Sequence, residues 1–294
     1  MEKIIMPTTA EITAVKGDGF LLNRGTRKFS ARIITSNGCI TAKQMECVTK
    51  AASKFGNGNI TFTVRLTMEI PGIDFDDIPA FKEFIAKEGL ETGGTGAKVR
   101  PVVSCKGSTC VFGLYDTMGL AKEVHQKFYK GYRDVVLPHK FKIAVGGCPN
   151  NCAKPDLNDV GIVGQRVVSY DLDKCKGCGK CAVEINCPMK AATVVDKKVV
   201  IDKNICNNCG RCVGKCPFGV TANYNDMLKF YIGGRWGKQI RLGTSLNTLF
   251  TKDEILDVIE KSIHLFKDYG LPKERLADTV ERLGMEKVEE ILLK

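Results

Sequence analysis

Cysteine spacing constrains this chain more than any other feature of its sequence. Two trios follow the pattern C-x2-C-x2-C, and each is followed by a Cys-Pro pair whose cysteine completes a set of four. Two shorter pairs, spaced C-x4-C and C-x3-C, supply a third set. Because loops with thiols at such short intervals can wrap a metal centre, we expect the chain to fold around metal at three places. The three sets are Cys175, Cys178, Cys181 and Cys187; Cys206, Cys209, Cys212 and Cys216; and Cys105, Cys110, Cys148 and Cys152.

The number and spacing of the cysteines also indicate the compartment. Fourteen cysteines at ligand spacings favour metal binding over disulfides. Thiols must be reduced to bind metal, and the cytosol keeps them reduced. No apolar run approaches the roughly 20 residues of a membrane span, and the first residues lack the apolar core of a signal peptide. The sequence therefore predicts a cytoplasmic protein without a membrane span. Cys39 and Cys47 lie outside the three sets and are predicted to be small core residues.

The repeat in residues 170–218 resembles a bacterial two-cluster ferredoxin. The stretch DLDKCKGCGKC is answered by IDKNICNNCGRC further along the chain. In that family each trio holds three corners of a [4Fe-4S] cluster, and the distant Cys-Pro cysteine serves the other cluster. The resemblance therefore assigns Cys216 to the first trio and Cys187 to the second. The interval between Cys181 and Cys187 is longer than usual, which indicates a local loop insertion, and structural zinc is the alternative interpretation.

The third cysteine set lies in a stretch that resembles the sirohaem and cluster site of sulfite and nitrite reductases. VVSCKGSTC is followed by LPHKFKIAVGGCPNNCAKPDLNDVGIVG. ITAKQ and TVRLTMEIPGI match the ferredoxin-like half-domain of that family, and GGRWGKQIR matches its closing segment. The resemblance covers nearly the whole chain apart from the last helices, and it is closest to the catalytic subunits of anaerobic, clostridial-type sulfite reductases. Taken alone, the C-x4-C and C-x3-C spacings also suit zinc or an unrelated cluster.

The resemblance and the element pattern together predict an α+β fold in four segments. Residues 1–92 would form the ferredoxin-like half-domain. Residues 93–168 and 223–294 would form the two parts of the sirohaem and [4Fe-4S] catalytic domain. Residues 169–222 would form an inserted bacterial two-[4Fe-4S] ferredoxin domain, called the module below.

Local patterns predict the secondary structure within these segments. Alternating stretches in residues 1–38 predict antiparallel strands. Residues 60–70 predict one strand that ends before a turn at the following Pro-Gly pair. Thr251 and Glu254 predict a capping box at the start of the first of three C-terminal helices.

The resemblance also implies which residues work at the centre. Cys152, the last cysteine of the third set, would bridge the cluster to the sirohaem iron. Period-two spacing places Lys140 and Lys142 on one face of a strand, and they match the family's two substrate lysines. Arg100 and Arg32 match its two substrate arginines, although Arg32 also suits a solvated strand edge. Four further basic residues would hold the sirohaem carboxylates, and each also suits an ordinary surface charge. They are Arg65, Arg235, Lys238 and Arg241.

Physical chemistry favours a small anion at such a group of cations. Arginine presents paired donors to an oxyanion, and lysine can also deliver protons as S–O bonds break. The resemblance implies reduction of sulfite to sulfide with six electrons, which pass from ferredoxin-type clusters to the Cys-bridged centre. The cofactors would be sirohaem and three [4Fe-4S] clusters. The alternatives are nitrite reduction to ammonia at the same centre and a non-catalytic iron–sulfur electron carrier.

The net charge bears on the partners. A formal charge of +11 raises nucleic acid as a partner, yet the basic residues are not gathered in one tail. Three clusters with their thiolates would contribute about −6, so bound cofactors would offset much of that charge, and we expect no nucleic-acid partner. Larger family members contain two fused copies of this pattern. The resemblance therefore implies a homodimer or an electron-donor subunit, of the flavin/NADH reductase or ferredoxin type.

Overall fold

The computed structural model describes residues 7–294, within which eight α-helices and eleven strands form. The helices are α1 (Thr9–Lys16), α2 (Ala42–Phe55), α3 (Ile78–Ala86), α4 (Thr117–Val124), α5 (Ala182–Ile185), α6 (Lys252–Tyr269), α7 (Leu276–Leu283) and α8 (Met285–Leu293). The strands are β1 (Phe20–Leu22), β2 (Phe29–Ile33), β3 (Thr61–Phe62), β4 (Met68–Ile73), β5 (Val103–Ser104), β6 (Ile143–Gly146), β7 (Val160–Ser169), β8 (Ala192–Val195), β9 (Lys198–Ile201), β10 (Asn223–Ile232) and β11 (Thr244–Phe250).

The N-terminal region is an antiparallel sheet with two helices packed on it. The strand order is β1-β2-β4-β3, and α2 and α3 bury their apolar faces against the sheet. α2 begins where the Thr41 side chain accepts a hydrogen bond from the Gln44 backbone N–H, and the Gln44 side chain caps the Thr41 N–H in return. Fully buried Phe20, Phe29 and Phe81 lie in this core.

A second sheet, with strand order β11-β10-β7-β6-β5, lies in the two segments that are predicted to form the catalytic domain. β5, β6 and β7 run parallel, whereas β10 and β11 are antiparallel to their neighbours. Since β5 and β6 are parallel, their carboxyl ends meet at one edge of the sheet. Cys105 follows β5 directly, and Cys148 follows β6 after Gly147. The topology therefore brings the two predicted cysteine pairs to the same edge.

Residues 170–222 leave and re-enter this sheet between two paired strands. β7 and β10 pair antiparallel along their whole length, from Val160 opposite Ile232 to Ser169 opposite Asn223. The intervening chain builds a small unit with the hairpin β8-β9 and the helix α5. Its own apolar core consists of Val183, Ala192, Val199 and Val220, with five cysteines packed against it.

The structure corrects several local predictions. Strands alone were expected in residues 1–38, but Thr9–Lys16 is a helix, capped by Thr8 and Glu11; residues 1–6 lie outside the described chain. The single strand expected over residues 60–70 is wrong, because Thr63 and Thr67 close a turn between β3 and β4. The Pro-Gly pair does not end β4, which continues through it to Ile73. The capping box at Thr251 and Glu254 is confirmed. Cys47 is buried as predicted, whereas Cys39 is exposed and is not a core residue.

The described helices also bear on the membrane prediction. Between residues 7 and 294, every helix is too short or too polar to span a bilayer.

Candidate active site and metal centres

Four thiols line a cavity of about 520 Å³ at the edge where β5 and β6 end. The loop after β6 lies close to the loop after β5, and the Gly147 N–H donates to the Cys105 Sγ over 3.2 Å. A Cβ at Gly147 would lie 2.7 Å from the Thr117 Oγ1, so only glycine fits this approach. The cavity is lined by Cys105, Cys110, Cys148 and Cys152, of which Cys152 is exposed.

The module carries two further cavities lined by thiols. Tyr170 borders the smaller one, and its hydroxyl lies 3.7 Å from the Cys212 Sγ. Each cavity combines one trio with the Cys-Pro cysteine of the other trio, which is the grouping that the sequence predicts; ligation itself stays a prediction. The outer cavity is lined by Cys175, Cys178, Cys181 and Cys216, and the inner cavity by Cys187, Cys206, Cys209 and Cys212.

The thiols surround space instead of converging on a point. All fourteen cysteines are free, and within residues 7–294 no three Cys, His, Asp or Glu side chains gather closely enough to hold a single metal ion. A structural zinc site needs four ligands within about 2.3 Å of one ion. A four-iron cluster occupies a volume and is gripped at its corners. The choice between clusters and zinc at the three sites stays a prediction from the cysteine spacing.

A group of basic side chains lies around Arg65, whose sequence neighbours line the cavity at the ends of β5 and β6. Val64 and Leu66 line that cavity, and Arg65 between them donates to the carbonyls of Pro101 (2.7 Å) and Ile143 (3.4 Å). Burial lowers the pKa of Arg65 to about 10, and nearby Arg100 adds to the shift. The group, called the cationic cluster below, comprises Arg32, Arg65, Arg100, Lys140, Lys142 and Arg275.

The hydrogen-bond donors of Arg100 are only partly paired within this cluster. Its guanidinium donates to the Gly94 carbonyl, while its Nε is buried and has no hydrogen-bond partner among the described residues. Burial lowers the pKa of Arg100 to about 10, and repulsion from Arg32 contributes. A buried donor without a partner is unfavourable, so an anion at this place would be stabilised.

Lys140 and Lys142 precede β6, and only Lys142 reaches a strongly shifted pKa. Burial lowers the pKa of Lys142 to about 8, with repulsion from Arg65 and Arg275 adding to the effect and Asp159 opposing it. Burial, followed by Arg275 and Arg100, also lowers the pKa of Lys140. A lysine that titrates near neutral pH can both hold an anion and release a proton.

One carboxylate lies beneath the cationic cluster. Asp159 is fully buried and accepts two hydrogen bonds from the Arg275 Nη2, at 2.9 and 3.1 Å, and one from the Lys142 backbone N–H at 2.9 Å. Burial raises the pKa of this carboxyl. All three hydrogen bonds come from N–H donors, so the site is built for the ionised form.

Sequence reasoning missed both members of this pair. Asp159 is 116 residues from Arg275 in the chain, and neither belongs to a repeated spacing. The quoted stretch that ends in LNDVGIVG contains Asp159, so a buried acid just before β7 was a usable signal. Arg275 had none, because its position just before α7 depends on how the C-terminal helices pack.

Three other arginines predicted at the site form ion pairs with carboxylates. Arg32 belongs to the cluster but forms a 2.5 Å ion pair with Glu69 across β2 and β4. Arg235 is paired with Asp278 at 2.7 Å, and Arg241 is paired with Glu281 at 2.8 Å, both on α7. Lys238 is exposed in the loop between these arginines.

A groove of about 530 Å³ separates the module from the catalytic domain, and both domains contribute cysteines to it. Cys148 of the catalytic set and Cys209 of the inner module set line the same groove. Arg211 of the module stacks over the Phe112 ring across it, 5.0 Å from the centroid. The inner module site therefore faces the catalytic thiol site.

Arg166 on β7 forms hydrogen bonds on both sides of this groove, at the junction between the module and the catalytic domain. Its backbone N–H donates to the Asn208 carbonyl over 2.7 Å, inside the second cysteine trio. Its guanidinium forms a bidentate pair with Asp226 at 2.6 and 2.7 Å and stacks over Tyr224 at 4.2 Å. The same guanidinium reaches the Leu114 carbonyl over 3.4 Å on the catalytic side.

This fold and these thiol sites define an iron–sulfur redox protein, and family comparisons agree. Residues 95–294 match the nitrite and sulphite reductase 4Fe-4S domain, and residues 23–88 match the nitrite/sulfite reductase ferredoxin-like half domain. The chain therefore belongs to the nitrite and sulphite reductase family, whose members are oxidoreductases that bind sirohaem and a [4Fe-4S] cluster. The family resemblance read from the sequence is confirmed.

Individual relatives make the comparison more specific. The chain is 33% identical over 245 residues to the coenzyme F420-dependent sulfite reductase of Methanocaldococcus jannaschii, a match over 81% of this chain and 38% of that protein. It is 32% identical to an uncharacterized protein of the same organism over 88% of each. It is 30% identical over 173 residues to one subunit of the anaerobic sulfite reductase of Salmonella typhimurium, over 54% of this chain and 49% of the other. The chain thus spans less than half of the F420-dependent enzyme and of the Salmonella subunit.

A solved structure supports the fold. The crystal structure of dissimilatory sulfite reductase I superposes with a TM-score of 0.72 at 21% sequence identity, over 91% of this chain and 69% of the other. The predicted combination of a ferredoxin-like half-domain with a catalytic domain is confirmed at the level of the fold.

Proposed function

We propose that this chain is the catalytic subunit of a sulfite reductase, which reduces sulfite to sulfide with six electrons. The observation that carries the proposal is the cationic cluster around Arg65, which lies in the chain between two residues that line a cavity with four thiols, one of them exposed. Relatives named as sulfite reductases support sulfite as the substrate.

The residues present fit the cofactors that the family binds. Cys105, Cys110, Cys148 and Cys152 surround a cavity large enough for a cubane, and Val64 and Leu66 offer apolar contact beside it. The side chains of the cationic cluster would hold a macrocycle rich in carboxylates. The Arg65 Nε is buried and has no hydrogen-bond partner among the described residues, so it is one donor available to a carboxylate. Bound sirohaem would supply an iron that passes electrons to the sulfur atom of sulfite.

The protein's own side chains would bind the anion and supply its protons. Arg100, Lys140 and Lys142 would hold sulfite, because several fixed cations replace the water that a dianion loses on entering a partly closed pocket. Arginine keeps its proton at any physiological pH. Lys142, with a pKa of about 8, is therefore the main proton donor in this proposal, and Lys140 assists.

The arrangement of thiol sites suggests the route of the electrons. They would enter the outer module cluster at Cys175, Cys178, Cys181 and Cys216, and pass to the inner module cluster. The groove shared by Cys209 and Cys148 supports the next step, from the inner cluster to the catalytic one. In this proposal residues 169–222 are a ferredoxin domain with two of the chain's three [4Fe-4S] clusters.

Two other functions compete with this proposal. Nitrite reduction to ammonia would use the same cations and the same electron count, and nitrite reductases are among the relatives. A non-catalytic electron carrier would bind clusters without turning over either anion. A homodimer or a separate donor subunit fits each of the three, and native mass measurement tells these assemblies apart.

The first experiment measures cofactors and products together. Protein purified without oxygen should contain about thirteen iron atoms per chain, from three four-iron clusters and one haem, and should show an isobacteriochlorin absorption spectrum. With reduced viologen as donor, it should form sulfide from sulfite faster than ammonia from nitrite. Faster ammonia formation would reassign the substrate, and no product from either anion would reject both reductase functions.

Variants test the proposed roles of the lysines. Lys140→Ala or Lys142→Ala should keep the absorption spectrum and slow sulfide formation about a hundredfold, the usual effect of losing a proton donor or a charge clamp. Lys122→Ala, on the exposed side of α4, is the matched control and should leave the rate unchanged. Full activity in both site variants would remove these lysines from the mechanism.

A further inference from the structure

One cysteine of the module is more accessible than the others. Among its eight cysteines, Cys178 alone is exposed, while the other seven are partly buried. Cys178 belongs to the outer thiol site, which lies away from the groove toward the catalytic domain. Electron transfer between proteins needs close approach of the two centres. An external donor would therefore reach the module most directly at Cys178.

Exposed lysines surround this cysteine. Lys176 and Lys180 flank it in the sequence, and both are exposed. Lys197 is also exposed and lies against the same loop, since a Cβ added at Gly177 would be 2.6 Å from its carbonyl oxygen. Within residues 7–294 none of these three lysines forms an ion pair, whereas neighbouring Lys174 is paired with Asp171.

These lysines differ from one that serves the thiol site itself. The Lys198 Nζ donates to the Leu172 carbonyl over 3.2 Å and to the Cys175 carbonyl over 3.0 Å. Its ammonium is therefore engaged by the cysteine loop, where it favours a thiolate, and backbone hydrogen bonds together with Lys198 lower the pKa of Cys175. Lys176, Lys180 and Lys197 have no such partner and add positive charge to the outer surface.

An exposed aromatic ring completes the surface. Phe218 lines the outer thiol cavity and is 45% exposed. Small interfaces of this kind, with an apolar contact inside a charged rim, are typical of transient complexes between redox proteins. Long-range attraction between opposite charges speeds such encounters without making the complex tight.

We propose that this surface, formed by Lys176, Cys178, Lys180, Lys197 and Phe218, docks an acidic one-electron carrier protein. The inference rests on the proposed function, and it adds the chemistry of the donor and the place where it binds. In each encounter the reduced carrier loses one electron and the outer cluster gains it, with no bond made and no proton moved. Six encounters supply the electrons for one sulfite.

The test compares charge reversal on this surface with charge reversal elsewhere. The variant Lys176→Glu/Lys180→Glu changes the proposed surface, and the control Lys122→Glu/Lys267→Glu makes the same change on exposed sites of α4 and α6. Reduction of the iron–sulfur absorption is followed by stopped flow, with a reduced acidic bacterial ferredoxin as the donor. Binding of the oxidised ferredoxin is measured by calorimetry.

The expected result has three parts. Reduction of the native protein by ferredoxin should slow as salt is raised, since salt screens the attraction. The surface variant should react at least about tenfold more slowly at low salt and bind oxidised ferredoxin more weakly, while the control stays close to the native protein. Reduction by a small viologen should be unchanged in both variants.

Other outcomes overturn the inference. Equal slowing in the two variants would mean that only the overall charge matters, and slowing with viologen would mean that the outer cluster itself is damaged. If the surface variant loses binding to a DNA duplex but reacts normally with ferredoxin, the lysines serve nucleic acid. Normal reduction by ferredoxin without sulfide formation would reject the proposed reductase activity and leave the docking surface intact.

Discussion

Replacement of Asp159 by asparagine should destabilise the protein measurably. Asp159→Asn keeps the size of the side chain but removes the carboxylate that, among residues 7–294, pairs with the Arg275 side chain, which is just 12% exposed. The Arg275 Nε already has no partner among the described residues. Removing one member of a buried ion pair costs about 3 kcal/mol. With the usual unfolding entropy per residue, a loss of that size lowers the midpoint of thermal unfolding by about 5 °C.

The same substitution should shift the pH dependence of turnover. In the native protein Lys142 is protonated below pH about 8 and loses its proton above it, so sulfide formation should decline as the pH rises through about 8. Asp159 favours the charged form of Lys142. Without that negative charge the pKa of Lys142 falls further, and the alkaline decline should move down by about one pH unit.

Two measurements on the same samples check this reasoning. Thermal unfolding is followed by circular dichroism without oxygen, and sulfide formation from sulfite with reduced viologen is recorded between pH 6 and about 9.5. Asp257→Asn is the matched control, because Asp257 is exposed and pairs with Lys261 on the surface of α6. If Asp159→Asn behaves like the control in both measurements, the buried pair has neither of the roles assigned to it.

Three further predictions follow from other contacts. Arg166→Ala should leave reduction of the module clusters unchanged but slow electron transfer to the catalytic cluster, as measured by freeze-quench electron paramagnetic resonance. Arg166→Lys should recover part of this rate. An equal loss of rate in both steps would contradict a role of Arg166 at the junction. Cys152→Ser should change the haem and cluster absorption together, and loss of only one signal would count against a bridging thiolate. Phe230→Ala, near the end of β10 and fully buried, should cost about 3 to 5 kcal/mol, whereas Phe62→Ala at a site 72% exposed should hardly alter the thermal midpoint.

Short-range features were predictable from the sequence. The thiol groupings depend on cysteines separated by two to four residues, and on the ferredoxin pattern in which the Cys-Pro cysteine after one trio joins the other trio. Local spacing therefore carried the information. The capping boxes at Thr41 and Thr251 are equally local, since each needs only a glutamine or glutamate three residues later. The turn inside residues 60–70 was not foreseen, because Leu66 adopts a left-handed backbone with φ +59° that its residue type disfavours.

Contacts between distant segments were not predictable in the same way. Asp159 and Arg275 meet only because α7 packs beside the start of β7. Arg235 and Arg241 form ion pairs with Asp278 and Glu281 on α7, and their role at the sirohaem carboxylates stays a prediction. Which basic residue meets a carboxylate depends on helix packing, and a single sequence gives no spacing rule for it.

The antiparallel pairing of β7 with β10 makes the module an exchangeable part. Ser169 and Asn223 are register partners, so the two ends of the insertion lie about 5 Å apart, and a two-residue turn could join them. The catalytic sheet then keeps its pairing whether or not residues 170–222 are present. The same catalytic fold could thus serve enzymes that carry their electron-transfer module within the chain and enzymes that depend on a separate, diffusing electron carrier. The two kinds would differ only at the turn between β7 and β10.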